Sequence, residues 1–173
     1  MLIGYRGSGK TIIGRALAKR LGFSFVDTDA VVERDAKMKI PEIFSKLGEP
    51  RFRDLEAAAV AEACAKGNSV IATGGGAPMR EESAGAMKKS GVVVFLECSP
   101  ETIHSRIEGD SRRPALTDLG GGLQEIRLML QKRDPTYRAL ADFVEDTGNK
   151  TVMQNVEGII VFLRGRGLLG ELR

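Results

Sequence analysis

A chain of 173 residues, 42% hydrophobic and 28% charged, is long enough to bury a core and short enough to be read as one domain over residues 1–173. Its 26 basic and 23 acidic residues leave a net charge of +3; that small excess, with few aromatics and no basic–aromatic interleaving, argues against a nucleic-acid partner. Cys64 and Cys98 lack a CxxC spacing or a histidine set, which argues against a disulfide scaffold and a zinc site, and no apolar run reaches membrane-spanning length.

With no signal-peptide pattern either, the expectation is a cytoplasmic protein that keeps its cysteines reduced. The one histidine, His104, falls in a helical stretch and is expected to be structural. Basic residues cluster around Arg106–Arg113 and Lys132–Arg138, a distribution that suits a small anionic ligand.

Along the chain, strand Met1–Ile3 is a stub for a central strand; either the true start lies a few residues upstream or the fold manages with what is there. It runs into "GYRGSGKT" (4–11), which fits G-x-x-x-x-G-K-[ST] at Gly4, Gly9, Lys10 and Thr11. Glycines there let the backbone turn successive N–H groups toward phosphate oxygens, and the helix over Lys10–Leu21 adds its positive end. Lys10 can reach the outer phosphates, and the Thr11 hydroxyl can ligate Mg²⁺. The competing reading is a chance glycine turn, which the strand before and helix after disfavour.

The next strand, Ser24–Val26, gives out at Asp27 and Asp29, two carboxylates that share a side if the chain stays extended. As plain caps of a following helix they place like charges together with little return. Helical periodicity then shows over Pro41–Leu47 and Phe52–Ala65; Arg53 and Glu56, three apart, are surface neighbours there, in the plain reading an exposed ion pair. Strand Ser69–Ala72 leads into "TGGGAP" (73–78), which sets bare backbone where parallel sheets bind ligands. Further helices are expected at Arg80–Lys88, Pro100–Ile107, Leu123–Lys132 and Gln154–Arg164, and strands at Val92–Leu96 and Asp142–Glu145. The polar, Arg-rich stretch 107–122 between two of these helices reads plainly as a solvated loop. Alternating strands and helices, with strands apolar throughout, predict an α/β fold: a central five-stranded parallel sheet with helices on both faces.

A phosphate loop alone does not choose among GTPases, motors, transporters and small-molecule kinases. No NKxD-like segment is present, nor a clear strand ending in the usual Walker B acid, which argues against a GTPase. The order of "GYRGSGKT", "DTD" (27–29), "GEPRFRDLE" (48–56), "GGG" (74–76), "RIEGDSRRPAL" (106–116) and "RDPTYR" (133–138) resembles the shikimate kinases, in the nucleoside-monophosphate-kinase-like group of P-loop folds, over essentially the whole chain.

The resemblance implies a three-layer kinase fold with a substrate region at about 28–60 and a mobile lid at about 107–122. The activity it implies is ATP-dependent phosphorylation of the 3-hydroxyl of shikimate, in the route to chorismate and the aromatic amino acids. ATP would lie on Gly7, Ser8, Gly9, Lys10, Thr11 and Ile12, with Arg113 of the lid on the transferred phosphoryl group and Arg106 stacked on adenine. Mg²⁺ would be held by Thr11 and, through water, by Asp27. Shikimate would meet Asp29 as base, the glycines Gly74, Gly75 and Gly76, and a pair of carboxylate-binding arginines, Arg53 (held by Glu56) and Arg138, between Phe44 and Phe52 as walls. Lys10, Asp29 and Arg113 are the expected catalytic residues, and Asp29 is left able to cap its helix when no ligand is bound. The lid is longer and richer in glycine than in some relatives, and the turn at 147–152 lacks the proline expected beside adenine. The enzyme is expected to act as a monomer on small molecules. The rival readings are a gluconate-type kinase of the same fold and a non-catalytic module that senses a nucleotide or metabolite.

Overall fold

A computed structural model describes residues 1–108 and 122–169. Within them, strands β1 (Leu2–Ile3), β2 (Ser24–Asp27), β3 (Ser69–Ala72), β4 (Val94–Glu97) and β5 (Phe143–Asp146) form one sheet in the order β2-β3-β1-β4-β5, with every pairing parallel. The helices are α1 (Lys10–Leu21), α2 (Thr28–Ala36), α3 (Ile40–Cys64), α4 (Glu81–Ser90), α5 (Pro100–Ile107), α6 (Leu123–Leu140) and α7 (Val152–Gly165), with a 3-10 turn at Ala77–Met79.

Alternation along the strands builds the layers. Leu2, Val70, Val94 and Leu96 point to one face, against Ile13 and Leu17 of α1 and Val156, Ile159 and Ile160 of α7. Ile3, Val93 and Phe95 point to the other, against Val60 of α3, Met87 of α4 and Tyr137 and Leu140 of α6. The short β1 is held this way: Leu2 and Ile3 are fully buried, roughly 1.5–3 kcal/mol each, and the strand pairs with both β3 and β4. Strand order reverses about β1, so its carboxyl end opens the crevice in which such sheets bind ligands.

Several boundaries differ from expectation. Helix α2 was not marked by its periodicity, because only Val31 and Val32 of its interior are apolar and buried. The two expected helices at 41–47 and 52–65 are halves of α3, bent at Gly48, whose φ of 79° and ψ of 166° are not helical. Helix α6 does not stop at Lys132 but continues through Pro135 to Leu140. A proline there removes one helical hydrogen bond, a cost of about 3 kcal/mol that the burial of Tyr137 and Leu140 offsets. Asp142 lies outside β5 and ties its start down, accepting from the Val93 amide and from Lys88 at 2.8 Å each. Residues 109–121, which hold most of the expected lid and Arg113, lie outside the described residues.

Candidate active site

At the carboxyl end of β1 the chain turns through Gly7 (φ 83°) and Gly9 (φ 98°), conformations that L side chains resist, and Gly9 opens α1. The amides of residues 7–11 are thereby gathered at a helix N-terminus, a ready anion site. The Lys10 ammonium folds back over the loop and donates to the carbonyls of Gly4 and Tyr5, both at 2.8 Å. The Ser8 hydroxyl oxygen is buried with no hydrogen-bond partner inside the loop. These features fit a phosphate chain. Ile12, by contrast, is largely exposed on the outer side of α1.

Asp27 joins this loop to the neighbouring strand. One of its oxygens accepts from the Thr11 hydroxyl at 3.0 Å and the other from the Asp29 amide at 3.1 Å. Asp27 is therefore the N-cap of α2, the role left open for Asp29. The two carboxylates do not alternate along a strand, since the helix begins between them at Thr28. A hydroxyl and a carboxylate at hydrogen-bond distance are a fitting pair for Mg²⁺, which takes few protein ligands and keeps phosphate and water oxygens. Among the described residues no group of three His, Cys, Asp or Glu side chains is placed to hold a metal alone.

Asp29 stands in the first turn of α2 and turns inward. Burial, then the negative charges of Asp27 and Glu56, push its carboxyl up to about 6, with Lys10 pulling the other way. Its neighbours are the glycines after β3. A Cβ on Gly74 would lie 2.6 Å from an oxygen of Asp29 and 2.6 Å from one of Glu56, and a Cβ on Gly76 only 2.4 Å from Nη1 of Arg53. The glycines are present because two carboxylates and a guanidinium close onto bare backbone. The Gly74 amide donates to the buried Thr28 hydroxyl at 3.0 Å, fixing this loop to the start of α2.

Arg53, on α3, lies between two carboxylates. Nη1 donates to the buried Glu56 at 2.8 Å; Nε and Nη2 both reach one oxygen of Glu49, at 3.1 and 2.9 Å. Burial raises the Glu56 pKa, and Arg53 and Arg133 oppose that shift. Phe44 and Phe52 pack as a tilted pair with ring centroids 4.5 Å apart, Phe52 buried and Phe44 at the surface.

A second arginine reaches the glycine loop, but it is not the expected one. Arg133 of α6 is buried, 5.7 Å from the Tyr5 ring centroid, and its Nη1 would lie 3.5 Å from a Cβ on Gly75. One turn further on, the Tyr137 hydroxyl donates to the Gly75 carbonyl at 2.6 Å, and burial pushes its pKa up to about 12. Arg138 points elsewhere: it pairs with Glu97 at the end of β4 and its guanidinium lies 5.8 Å from the Phe95 ring centroid. At the outer side of the loop, Arg106 donates to the Thr147 carbonyl at 2.7 Å and lies 3.4 Å from the Gly7 carbonyl, which joins the phosphate loop to the turn after β5.

The sequence model of the family described as Shikimate kinase matches residues 6–164. The chain belongs to the shikimate kinase family. The shikimate kinase of Thermodesulfovibrio yellowstonii is 44% identical over 160 residues, 92% of this chain and 91% of the relative, and that of Symbiobacterium thermophilum is 42% identical over 172 residues, 98% of each. Among solved structures, a shikimate kinase from Acinetobacter baumannii in complex with shikimate superimposes with a TM-score of 0.91 at 34% identity, covering 97% of this chain and 93% of that one. A gluconokinase from Sinorhizobium meliloti, at 17% identity and a TM-score of 0.62, shares the fold alone.

In this shikimate kinase family member, the residues expected from sequence that come together are Lys10, Thr11, Asp27, Asp29, Arg53, Glu56 and the three glycines. Arg138 does not join them, and Arg133, Thr28 and Tyr137 were not foreseen. Their signal was present in the same quoted segments, "DTD" and "RDPTYR": Thr28 and Tyr137 stand one position, and Arg133 five positions, from the residues expected there.

Proposed function

We infer that the chain transfers the terminal phosphoryl group of ATP to a hydroxyl of shikimate, giving shikimate 3-phosphate and ADP. The observation that carries this reading is that the phosphate loop and the cluster of Asp29, Gly74 and Arg53 meet at one end of the sheet, within a chain matched to this family over residues 6–164. Lys10 and the loop amides would hold the phosphates. Thr11 and Asp27 would hold Mg²⁺, which when bound neutralises charge between the outer phosphates. Asp29, adjacent to Gly74, would accept the proton of the attacking hydroxyl. Phosphoryl transfer is mostly positioning and charge neutralisation, so a single weak base suffices.

For the substrate carboxylate, the geometry favours Arg53 and Arg133 over Arg53 and Arg138, because both of the former border the glycine loop. Arg106, bound to the Thr147 carbonyl beside the phosphate loop, would line the nucleotide base, and Arg113, outside the described residues, would act on the transferred phosphoryl group. The reading takes the enzyme to act as a cytoplasmic monomer on small molecules. Among the described residues no helix is long and apolar enough to cross a membrane.

The test is ADP formation with ATP, Mg²⁺ and one acceptor at a time. Turnover with shikimate and background rates with gluconate and AMP are expected; turnover with gluconate in place of shikimate would overturn the reading, as would shikimate-independent nucleotide binding with no turnover.

A further inference from the structure

A guanidinium offers a carboxylate two forks, and in Arg53 both are already occupied. Nη1 is held by Glu56, which is buried and serves as an anchor. The Nε and Nη2 edge, the side-on fork that a planar carboxylate fits best, is closed by a single oxygen of Glu49 at 3.1 and 2.9 Å. Glu49 differs from Glu56 in where it stands. Its side chain is 62% exposed against 5% for Glu56, so it can swing into water without leaving a buried charge behind. It also follows directly on Gly48, where α3 departs from helical geometry, and precedes Pro50. Phe52, one residue before Arg53, is packed against Phe44 on the same surface, so Glu49 closes this fork beside an aromatic wall.

We propose that Glu49 is an internal carboxylate that occupies the substrate fork of Arg53 in the ligand-free protein and is displaced when the substrate carboxylate binds. This rests on the reading above in which Arg53 binds that carboxylate. The device sets specificity as well as affinity: a ligand without a carboxylate gains nothing from Arg53, because Glu49 stays in place and competes for it. Arg53 meanwhile is kept extended toward the glycine loop by Glu56 and Glu49 together, so the cation is aimed before substrate arrives.

The experiment compares Glu49→Gln with the wild-type enzyme by shikimate titration calorimetry and by the KM for shikimate, with Arg53→Ala and Glu42→Gln alongside. Glu42 forms an ordinary pair with Lys46 on the same helix and serves as the control. An exposed competing ion pair predicts that Glu49→Gln tightens shikimate binding about two- to five-fold, seen in KM, while Glu42→Gln leaves it unchanged. If Arg53→Ala weakens shikimate binding but Glu49→Gln leaves it equal or weaker, Glu49 only positions the arginine and the proposal fails. If Arg53→Ala leaves shikimate binding intact, the underlying assignment of Arg53 fails instead, and the proposal with it. Circular dichroism at matched concentration separates either result from loss of fold.

Discussion

The amide of Gly74 donates to the hydroxyl of Thr28 across 3.0 Å, joining the loop after β3 to the first residue of α2. Thr28 is buried between Asp27, which binds Thr11 of the phosphate loop, and Asp29, which borders Gly74 itself. One hydrogen bond thus holds Asp27, Asp29 and the glycine loop in one register. On the proposed reading three consecutive residues would divide the work: Asp27 toward the phosphates, Thr28 tying the loops and Asp29 toward the acceptor.

Gly74→Ala tests how tightly that register is drawn. The new methyl would sit 2.6 Å from oxygens of both Asp29 and Glu56, two side-chain ends rather than backbone, which must shift to admit it. The fold is therefore expected to survive, with a melting temperature within a few degrees of the parent, while kcat/KM for shikimate falls about 100-fold. Thermal melts and initial rates on the same preparation check this.

Asp29→Asn should separate catalysis from stability. With its carboxyl pushed up to about 6 from an ordinary 3.8, the folded protein binds this proton more tightly than the unfolded chain does. The sign follows: Asp29 costs no stability below about pH 4, and stability is lost as pH rises through the interval to about 6. The asparagine variant should therefore be more stable than the parent at pH 7.5, by about 1–3 kcal/mol, with the gain vanishing near pH 4. Turnover should fall at least about 100-fold with ATP binding preserved. The acid limb of kcat/KM, near pH 6 in the parent, should disappear from any residual activity. Urea unfolding at the two pH values and a pH–rate profile measure both halves.

The two arginines of α6 give a paired prediction. Arg133→Ala should raise the KM for shikimate by at least about ten-fold, because it removes a buried cation beside Gly75. Arg138→Ala should change KM by less than about three-fold, since it breaks only a half-exposed pair with Glu97. A reversed ranking would restore Arg138 to the carboxylate site.

On the proposed reading Thr11 and Asp27, joined by a hydrogen bond, would hold the metal together. Asp27→Asn should raise the Mg²⁺ concentration needed for half-maximal rate by about ten-fold while leaving the cap of α2 nearly unchanged, because an asparagine oxygen caps a helix about as well as an aspartate one. Titration of activity with Mg²⁺, alongside thermal melts, checks the two effects separately.

Most of this arrangement was legible in the sequence, and the failures have physical causes. The phosphate loop (4–11), the Asp27–Asp29 pair and the glycines at 74–76 are each local in the chain, so each group can be read from its own segment, while the parallel sheet sets the three side by side. Arg133 and Arg138 are five apart, about 140° around a helix, and so point to different sides. Choosing between them required knowing that α6 runs through Pro135, and a proline ordinarily signals the end of a helix. Helix α2 escaped notice because its buried stripe is two valines and its other positions are mostly charged. The bend at Gly48 and the proline at 50 interrupt the apolar periodicity, so the sequence does not show that Glu49 belongs with the half of α3 carrying Arg53.

On the proposed reading one hydroxyl of shikimate receives the phosphoryl group at the junction of the phosphate loop and the glycine loop. Phosphorus NMR of a reaction containing ATP, Mg²⁺, shikimate and the purified chain tests it most directly. A single new phosphomonoester resonance is expected, growing in step with ADP and lost in Asp29→Asn. Appearance of inorganic phosphate with ADP and no ester, or of an ester formed equally well by Asp29→Asn, would contradict it.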